Sequence, residues 1–369
     1  MSQSGKDPSF IVRSETPYCG GPPLEQLAAS YLTPVDRFFV RSHGTVPRLD
    51  RDQHQVTLDG LVRRRLSLTV PELLQRFPRR EAVVTIQCAG NRRDELLAAA
   101  PIPGELPWGA EAISNARWSG VSLADVLGAV GVEPEAQHVA FEGLDSVERQ
   151  GRTFGFGGSV SLARALAGDV LLADRMDDKP LQAHHGFPLR VVVPGFIGAR
   201  SVKWLSRITL QTESSDNYFE AHAYKLLPRD ADPATVDWAA HPPLEEMPIG
   251  AVICLPPAAA TLDAEVLRDA GALRVAGYAT SRGHDRVLGV DLSADGGVTW
   301  QAAELLDRAG PGTWVRWQGL LTPAPGEHEL VARVRDSGRH EQPEHAAQAW
   351  NPKGYMNEAW HRVMVVVRG

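Results

Sequence analysis

The chain has 369 residues, 43% of them hydrophobic and 22% charged, with a formal net charge of −7. That length carries two domains with cores of their own, and the composition excludes a largely disordered chain. No apolar run approaches the roughly 18 residues that cross a bilayer, and the negative balance gives no field to gather nucleic acid, so the arginines must act locally.

Residues 1–22 are rich in Pro and Gly and read as a segment laid across the surface. The opening MSQSGKDPSF has neither a basic stretch before an apolar one nor a twin arginine, so a cytoplasmic protein is expected. PPLEQLAASYL reads as a short helix whose prolines pre-set the first turn. The segment Arg37-Phe38-Phe39-Val40-Arg41-Ser42-His43-Gly44 reads as an aromatic strand with Arg and His before a Gly turn. On its own it is an edge strand with solvated ends. His54 to Val62 reads as a strand, and Thr69 with Pro71 opens a helix through Phe77.

The segment EAVVTIQCAGNRRDE, Glu81 to Glu95, reads as an alternating strand with Ala82, Val84 and Ile86 on one side, running into a tight polar turn. Cys88 stands at the strand end, before Ala89-Gly90 and then Asn91, Arg92 and Arg93. Two guanidiniums beside a thiol favour the thiolate, which is a soft metal ligand or a nucleophile. A small buried cysteine beside a structural ion pair is the competing reading. Cys19 and Cys254 lie far away and no CxxC or CxxCH occurs, which argues against a zinc ribbon and a c-type haem.

Ala98 to Trp108 reads as a Pro-rich loop whose Trp serves packing or a ligand. Ser122 is expected to cap the helix LADVLGAV, which Gly131 stops. Gln137 to Glu142 is a strand that delivers Gly143-Leu144-Asp145 into a loop. The Gly-rich RTFGFGGSVS then reads as a loop leading to a helix capped by Ser159 or Ser161, a place where backbone N–H groups can hold an anion. It matches neither GxGxxG nor GxxxxGK[ST]. Val170 to Met176 is a strand, and HHGFPLRVVVPG is another, with His184 and His185 before it. Adjacent histidines on an extended chain point apart, so one is expected to be functional and the other a surface or core residue. SRITLQ is the next strand.

Residues 228–248 are rich in Pro, Asp and Glu and read as a boundary. Short strands then follow one another: Ala251–Leu255, Leu273–Ala279, Val287–Leu292, Thr299–Glu304, Val315–Leu320 and Glu329–Arg335. Ala294-Asp295-Gly296-Gly297 is a hairpin turn between two of them. The spacing predicts an immunoglobulin-like sandwich. The fold class is therefore α+β, with an extension over 1–30, a mixed α/β domain over 31–240 and an all-β domain over 241–369.

FFVRSHG, TIQCAGNRR, HHGFPLRVVVPG with SVKWL after it, and the closing AWNPKG and NEAWHRV stand in that order from about residue 30 to the end. Together they closely resemble the sulfite oxidase family of molybdenum enzymes, in its haem-free plant or bacterial form. The resemblance implies a molybdenum ion on the thiolate of Cys88 and on the dithiolene of a molybdopterin. It carries cofactor contacts over to Phe39, Val40, Arg41, Ser42, His43, Asp145, His185, Arg190, Ser201, Val202 and Lys203. Arginines, a lysine and free N–H groups suit a phosphate.

The resemblance places Arg41, Arg93, Trp108 and Lys353 around a small oxyanion such as sulfite. Lys353 stands where an arginine is usual and Ser42 where asparagine is common. At Phe156 a matched tyrosine would be replaced, which removes a hydroxyl donor. It also implies a homodimer through the second domain and an external electron acceptor, a redox protein or dioxygen. Oxidation of sulfite to sulfate is the leading expectation. The changes at Phe156 and Lys353 motivate an alternative, reduction of an S-oxide, N-oxide or other oxyanion. A third reading is non-catalytic, with a structural Cys88 and the sandwich as an interaction module. His184, His340 and His345 are expected to be solvated.

Overall fold

A computed structural model describes residues 5–149, 151–263, 272–308 and 310–368. Two five-stranded sheets form the body of the first domain. One runs in the order Gly157–Ser161, His138–Gly143, Leu205–Gln211, Gln55–Gly60, Leu66–Thr69, antiparallel except where Leu205–Gln211 meets Gln55–Gly60. The other, wholly antiparallel, runs Lys179–Pro180, Leu171–Met176, Ile113–Ser122, Arg79–Gln87, with Arg190–Val192 also paired to Leu171–Met176. Leu58, Phe141 and Ile208 of the first sheet share one core with Val121 and Leu172 of the second. Helix Leu123–Val130 adds Leu123, Val126 and Leu127 to that core. Each such side chain contributes about 1.5–3 kcal/mol by leaving water.

The helix signals worked where side chain and backbone agree. Val70–Arg76 opens on a capping box between Thr69 and Glu72, and Leu123–Val130 stops at Gly131 with φ 74°. Ser122 sits at the expected cap, but its hydroxyl donates to the Gly168 carbonyl instead of accepting from the helix.

Four expectations are corrected. Residues 37–40 form no strand: Arg37 and Phe38 turn back on the Pro34 carbonyl, and only Val40 pairs, through a bridge to Gly20. The segment before residue 22 is more than a surface strap, because Ile11–Glu15 and Tyr18–Gly21 form a hairpin and Lys6 and Cys19 are buried. The Gly-rich stretch is sheet: Arg152–Phe154 pairs with Val147–Arg149, and Gly157–Ser161 pairs with His138–Gly143. Its glycines fit because a Cβ at Gly155 would meet the Gly143 carbonyl at 2.0 Å. Ser161 caps a helix of only four residues, Leu162–Ala165. Thr299–Glu304 splits into the pairs Gln301–Ala302 and Glu304–Leu305, which join different sheets.

The second domain is a two-sheet sandwich. Gly250–Leu255, Leu273–Thr280, Val315–Leu321 and Glu304–Leu305 make one sheet. Ala260–Asp263, His361–Arg368, Gly326–Asp336, Val287–Ser293 and Gln301–Ala302 make the other. Ile253, Val275 and Trp317 pack against Val290, Leu292, Leu330 and Val365 between them. No helix of the described residues is long and apolar enough to cross a membrane.

The two domains grip the Cys88 turn from both sides. Tyr278 donates to the Ala110 carbonyl at 2.7 Å and accepts from Asn91 at 3.1 Å. Arg92 reaches the Ala359 carbonyl at 2.8 Å, and Met356 N–H donates to the Ala89 carbonyl at 2.8 Å. Arg92 takes a left-handed φ of 64°, which costs about 1–2 kcal/mol. Its bidentate pair with Glu95, both bonds at 2.7 Å, helps to offset that cost.

Candidate active site

Val84 and Ile86 bury one face of the strand Arg79–Gln87, as their alternation predicts, and Cys88 follows at its end. The Cys88 N–H donates to the Ala112 carbonyl and Asn91 N–H closes a turn on the Cys88 carbonyl. Gly90 N–H points at the Cys88 sulfur at 3.4 Å. A Cβ at Gly90 would lie 2.3 Å from the Arg93 guanidinium, so any side chain there would have to push that guanidinium from its place.

Cys88 opens on a cavity. Phe39, Val40, Arg41, Ser42 and His43 form one wall, and Asp145 with Phe156 another. His184, His185, Arg190, Ser201, Val202 and Lys203 close it. The loop at 37–43, the Asp145 loop and the 184–203 segment thus converge on the thiol. Every cofactor-contact residue expected from the sequence lines this one space. Arg93, Trp108 and Lys353 stand outside its wall. Arg93 nonetheless lies close enough to favour a thiolate at Cys88, and Trp108 belongs to the apolar cluster that holds Cys88.

Buried cations dominate the chemistry. Arg190 donates to the carbonyls of His185 and Ser201, both at 3.0 Å, and lies over the Trp118 ring. Lys203 donates at 3.0 Å to the carbonyls of Arg41 and His184 and to the Ser42 hydroxyl. Burial pulls Arg190 down to about 9, and burial together with the charge of Arg190 pulls Lys203 down to about 7. Of the residues lining the cavity only Asp145 is acidic, and its carboxylate accepts from Phe156 N–H at 2.8 Å. Charges buried among neutral carbonyls call for an anion.

A second set of polar groups stands by the thiol. Arg41 Nη2 is 3.2 Å from His43 Nδ1, and His43 Nε2 is 2.7 Å from the Tyr224 hydroxyl. A guanidinium cannot accept, so Nδ1 accepts and the ring carries its proton on Nε2. Burial, then the charge of Arg41, holds His43 well below its ordinary value, so that neutral ring persists. Its Nε2–H donates to Tyr224, which leaves the tyrosine proton free to donate onward. Tyr224 lines the cavity, and neither periodicity nor motif pointed to it.

Other expectations change. Cys88 does not have a depressed pKa: burial raises it, outweighing Arg93 and Arg41, which pull the other way. Phe156 lacks a hydroxyl, stacks on His43 at 5.1 Å and packs on Phe219 at 4.5 Å, but Tyr224 brings a hydroxyl to the same cavity. Lys353 is ion-paired to Glu105, whose other oxygen lies 3.7 Å from Arg93. His184 lines the cavity under Tyr18 rather than facing solvent, and His340 Nδ1 is 2.8 Å from Asp336. His345 is exposed, as expected.

Residues 43–219 match the family described as oxidoreductase molybdopterin binding domain, and residues 241–368 match the Mo-co oxidoreductase dimerisation domain. The chain is 41% identical to the sulfite oxidase of Gallus gallus, over 97% of this chain and 78% of that one. It is 34% identical to the sulfite oxidase of Arabidopsis thaliana, over 98% and 94% of the two chains. The chain belongs to the sulfite oxidase family. Its fold is similar to the crystal structure of the sulfane dehydrogenase SoxCD from Paracoccus pantotrophus, with a TM-score of 0.77. That likeness covers 95% of this chain and 85% of the other at 24% identity, and concerns the fold alone.

Membership in the sulfite oxidase family brings a molybdenum–pterin cofactor, and the residues present fit it. The cavity offers one soft sulfur for the metal and buried cations with a single acid between them for the anionic pterin. His184, on the cavity wall, adds a buried ring nitrogen, Nδ1, with no partner among the described residues. Cys88 would hold the metal, and Arg190, Lys203, Ser201 and His185 the pterin and its phosphate. Because an anion there relieves charge repulsion, stripping the cofactor is expected to lower thermal stability. At a concentration 1,000 times the dissociation constant the difference is about 4 kcal/mol, read by calorimetry of loaded and stripped protein.

Proposed function

We infer that the protein oxidises sulfite to sulfate at a molybdenum–pterin group held by Cys88. The observation that carries this is the Arg41–His43–Tyr224 chain beside the thiol, in a cavity whose cations outnumber its acids. The bound cofactor supplies two-electron oxygen-atom transfer. The protein supplies charge and orientation. Arg41 is half-buried and keeps N–H groups beyond those spent on Ser42 and His43, which suits an incoming oxyanion. Tyr224, its oxygen occupied by His43 Nε2–H, is left with one proton to donate. Arg93 is pinned by the carbonyls of Gly354 at 3.0 Å and Leu106 at 2.9 Å. Arg93 and Lys353 share the single carboxylate of Glu105, so that edge keeps a net positive charge.

Reduction of an S-oxide or N-oxide was motivated by Phe156 and Lys353. The Tyr224 hydroxyl removes the first motive. Steady-state assay of metal-loaded protein with sulfite and ferricyanide tests the reading: turnover supports it, and its absence with metal and pterin present overturns it. Tyr224→Phe is expected to lower kcat/KM for sulfite about 10²–10³-fold, as loss of one preorganised donor does, at unchanged molybdenum content. The reading also makes the protein a cytoplasmic homodimer that passes electrons to an external acceptor. The dimerisation description matched by residues 241–368 supports the homodimer, and the sandwich serves there as an immunoglobulin-like module.

A further inference from the structure

Residues 5–21 precede both matched segments, yet they back the cavity wall. Asp7 N–H donates to the Asp36 carbonyl at 3.1 Å, and Gly20 and Val40 exchange hydrogen bonds of 2.9 and 2.8 Å. Immediately before the first of these anchors, Lys6 is 4% exposed. Its Nζ lies 2.7 Å from the Val35 carbonyl, 2.8 Å from the Phe38 carbonyl and 2.8 Å from His185 Nε2.

An ammonium has three N–H groups and no lone pair. It cannot accept, so His185 Nε2 accepts and its ring, which lines the cavity, carries the proton on Nδ1. We propose that Lys6 is a positioning residue for the molybdenum–pterin cofactor, holding His185 as the Nδ1-protonated neutral ring and placing a positive charge behind it. This rests on the cofactor reading above. Burial pulls Lys6 down to about 7, and burial, then the charge of Lys6, keeps His185 neutral. An anionic cofactor in the cavity favours the ammonium and with it the Nδ1 proton. Without the anion, a neutral amine can accept from Nε2–H, and the ring proton changes sides. Partners of this kind, behind a ligand-binding imidazole, set its tautomer and orientation.

The test uses purified holoenzyme, with pterin measured by fluorescence after oxidation and molybdenum by mass spectrometry. Lys6→Met is expected to weaken cofactor retention about 10–100-fold and to shrink the rise in thermal midpoint that loading produces. Lys6→Arg, which keeps the charge, is expected to restore most of both. Should Lys6→Met not fold, Lys6→Gln carries the same comparison. Wild-type retention in the uncharged variant overturns the proposal. So does an unchanged rise on loading, whatever happens to the cofactor-free midpoint, because that is the signature of a purely structural lysine. A wild-type protein that takes up no pterin removes the cofactor reading itself, and is seen before any variant is made.

Discussion

Cys88→Ser is expected to bring sulfite turnover down to the no-enzyme background while the cofactor-free protein unfolds within a few degrees of wild type. Serine has nearly the volume of cysteine and can accept from Gly90 N–H as the sulfur does, so the turn survives. What is lost is the soft anion. Burial already raises the thiol, and the nearby Arg93 and Arg41, with the Gly90 N–H, pull it only part of the way back. A serine hydroxyl is a far weaker acid and a hard ligand, so neither guanidinium can make it a substitute. The measurements are molybdenum per chain, ferricyanide-coupled turnover and thermal midpoint. A variant holding more than about a tenth of wild-type activity, a deficit under about 1.4 kcal/mol at the barrier, would sink the assignment of Cys88 as the metal's thiolate.

Arg200→Met is expected to destabilise the fold by about 3–5 kcal/mol, the usual result of removing one partner of a buried ion pair. Arg200 is 1% exposed and Glu220 2% exposed, and they meet at 3.1 Å. Glu220 also accepts from the Ser159 N–H and hydroxyl, so its charge cannot swing out to water. Ala199 and Ser201, on either side of Arg200, line the cavity, and cofactor content is expected to fall with stability. Arg200→Met with Glu220→Gln should recover more than half of the loss, since the amide still accepts from Ser159 without an unpaired charge. Denaturant unfolding of the two single variants and the double decides it. Equal losses in Arg200→Met and the double would show that packing, not charge, is what Arg200 contributes.

Much of this site is legible in the amino-acid sequence. The alternation of Ala82, Val84 and Ile86 gave the strand, and the turn CAGNRR gave a thiol flanked by cations. The long motifs around His185 and Lys203 gave a resemblance that the relatives bear out. Strand period, helix caps and glycine turns depend on neighbours a few residues apart, and so can be read along the chain. Tyr224, Lys6 and Glu105 could not be read that way. Tyr224 reaches His43 across 181 positions and Lys6 reaches His185 across 179. Glu105 meets Lys353 across 248. A one-dimensional pattern carries no signal for such pairs.

The amino-acid order by itself determined the two-domain architecture, the strand that presents Cys88 and the identity of the cations around it. Only the tertiary structure decided the protonation of that thiol, the neutrality of His43 and the pairing of Lys353. These depend on desolvation and on which charge lies within a few ångströms, and both are set by packing between segments remote in the chain.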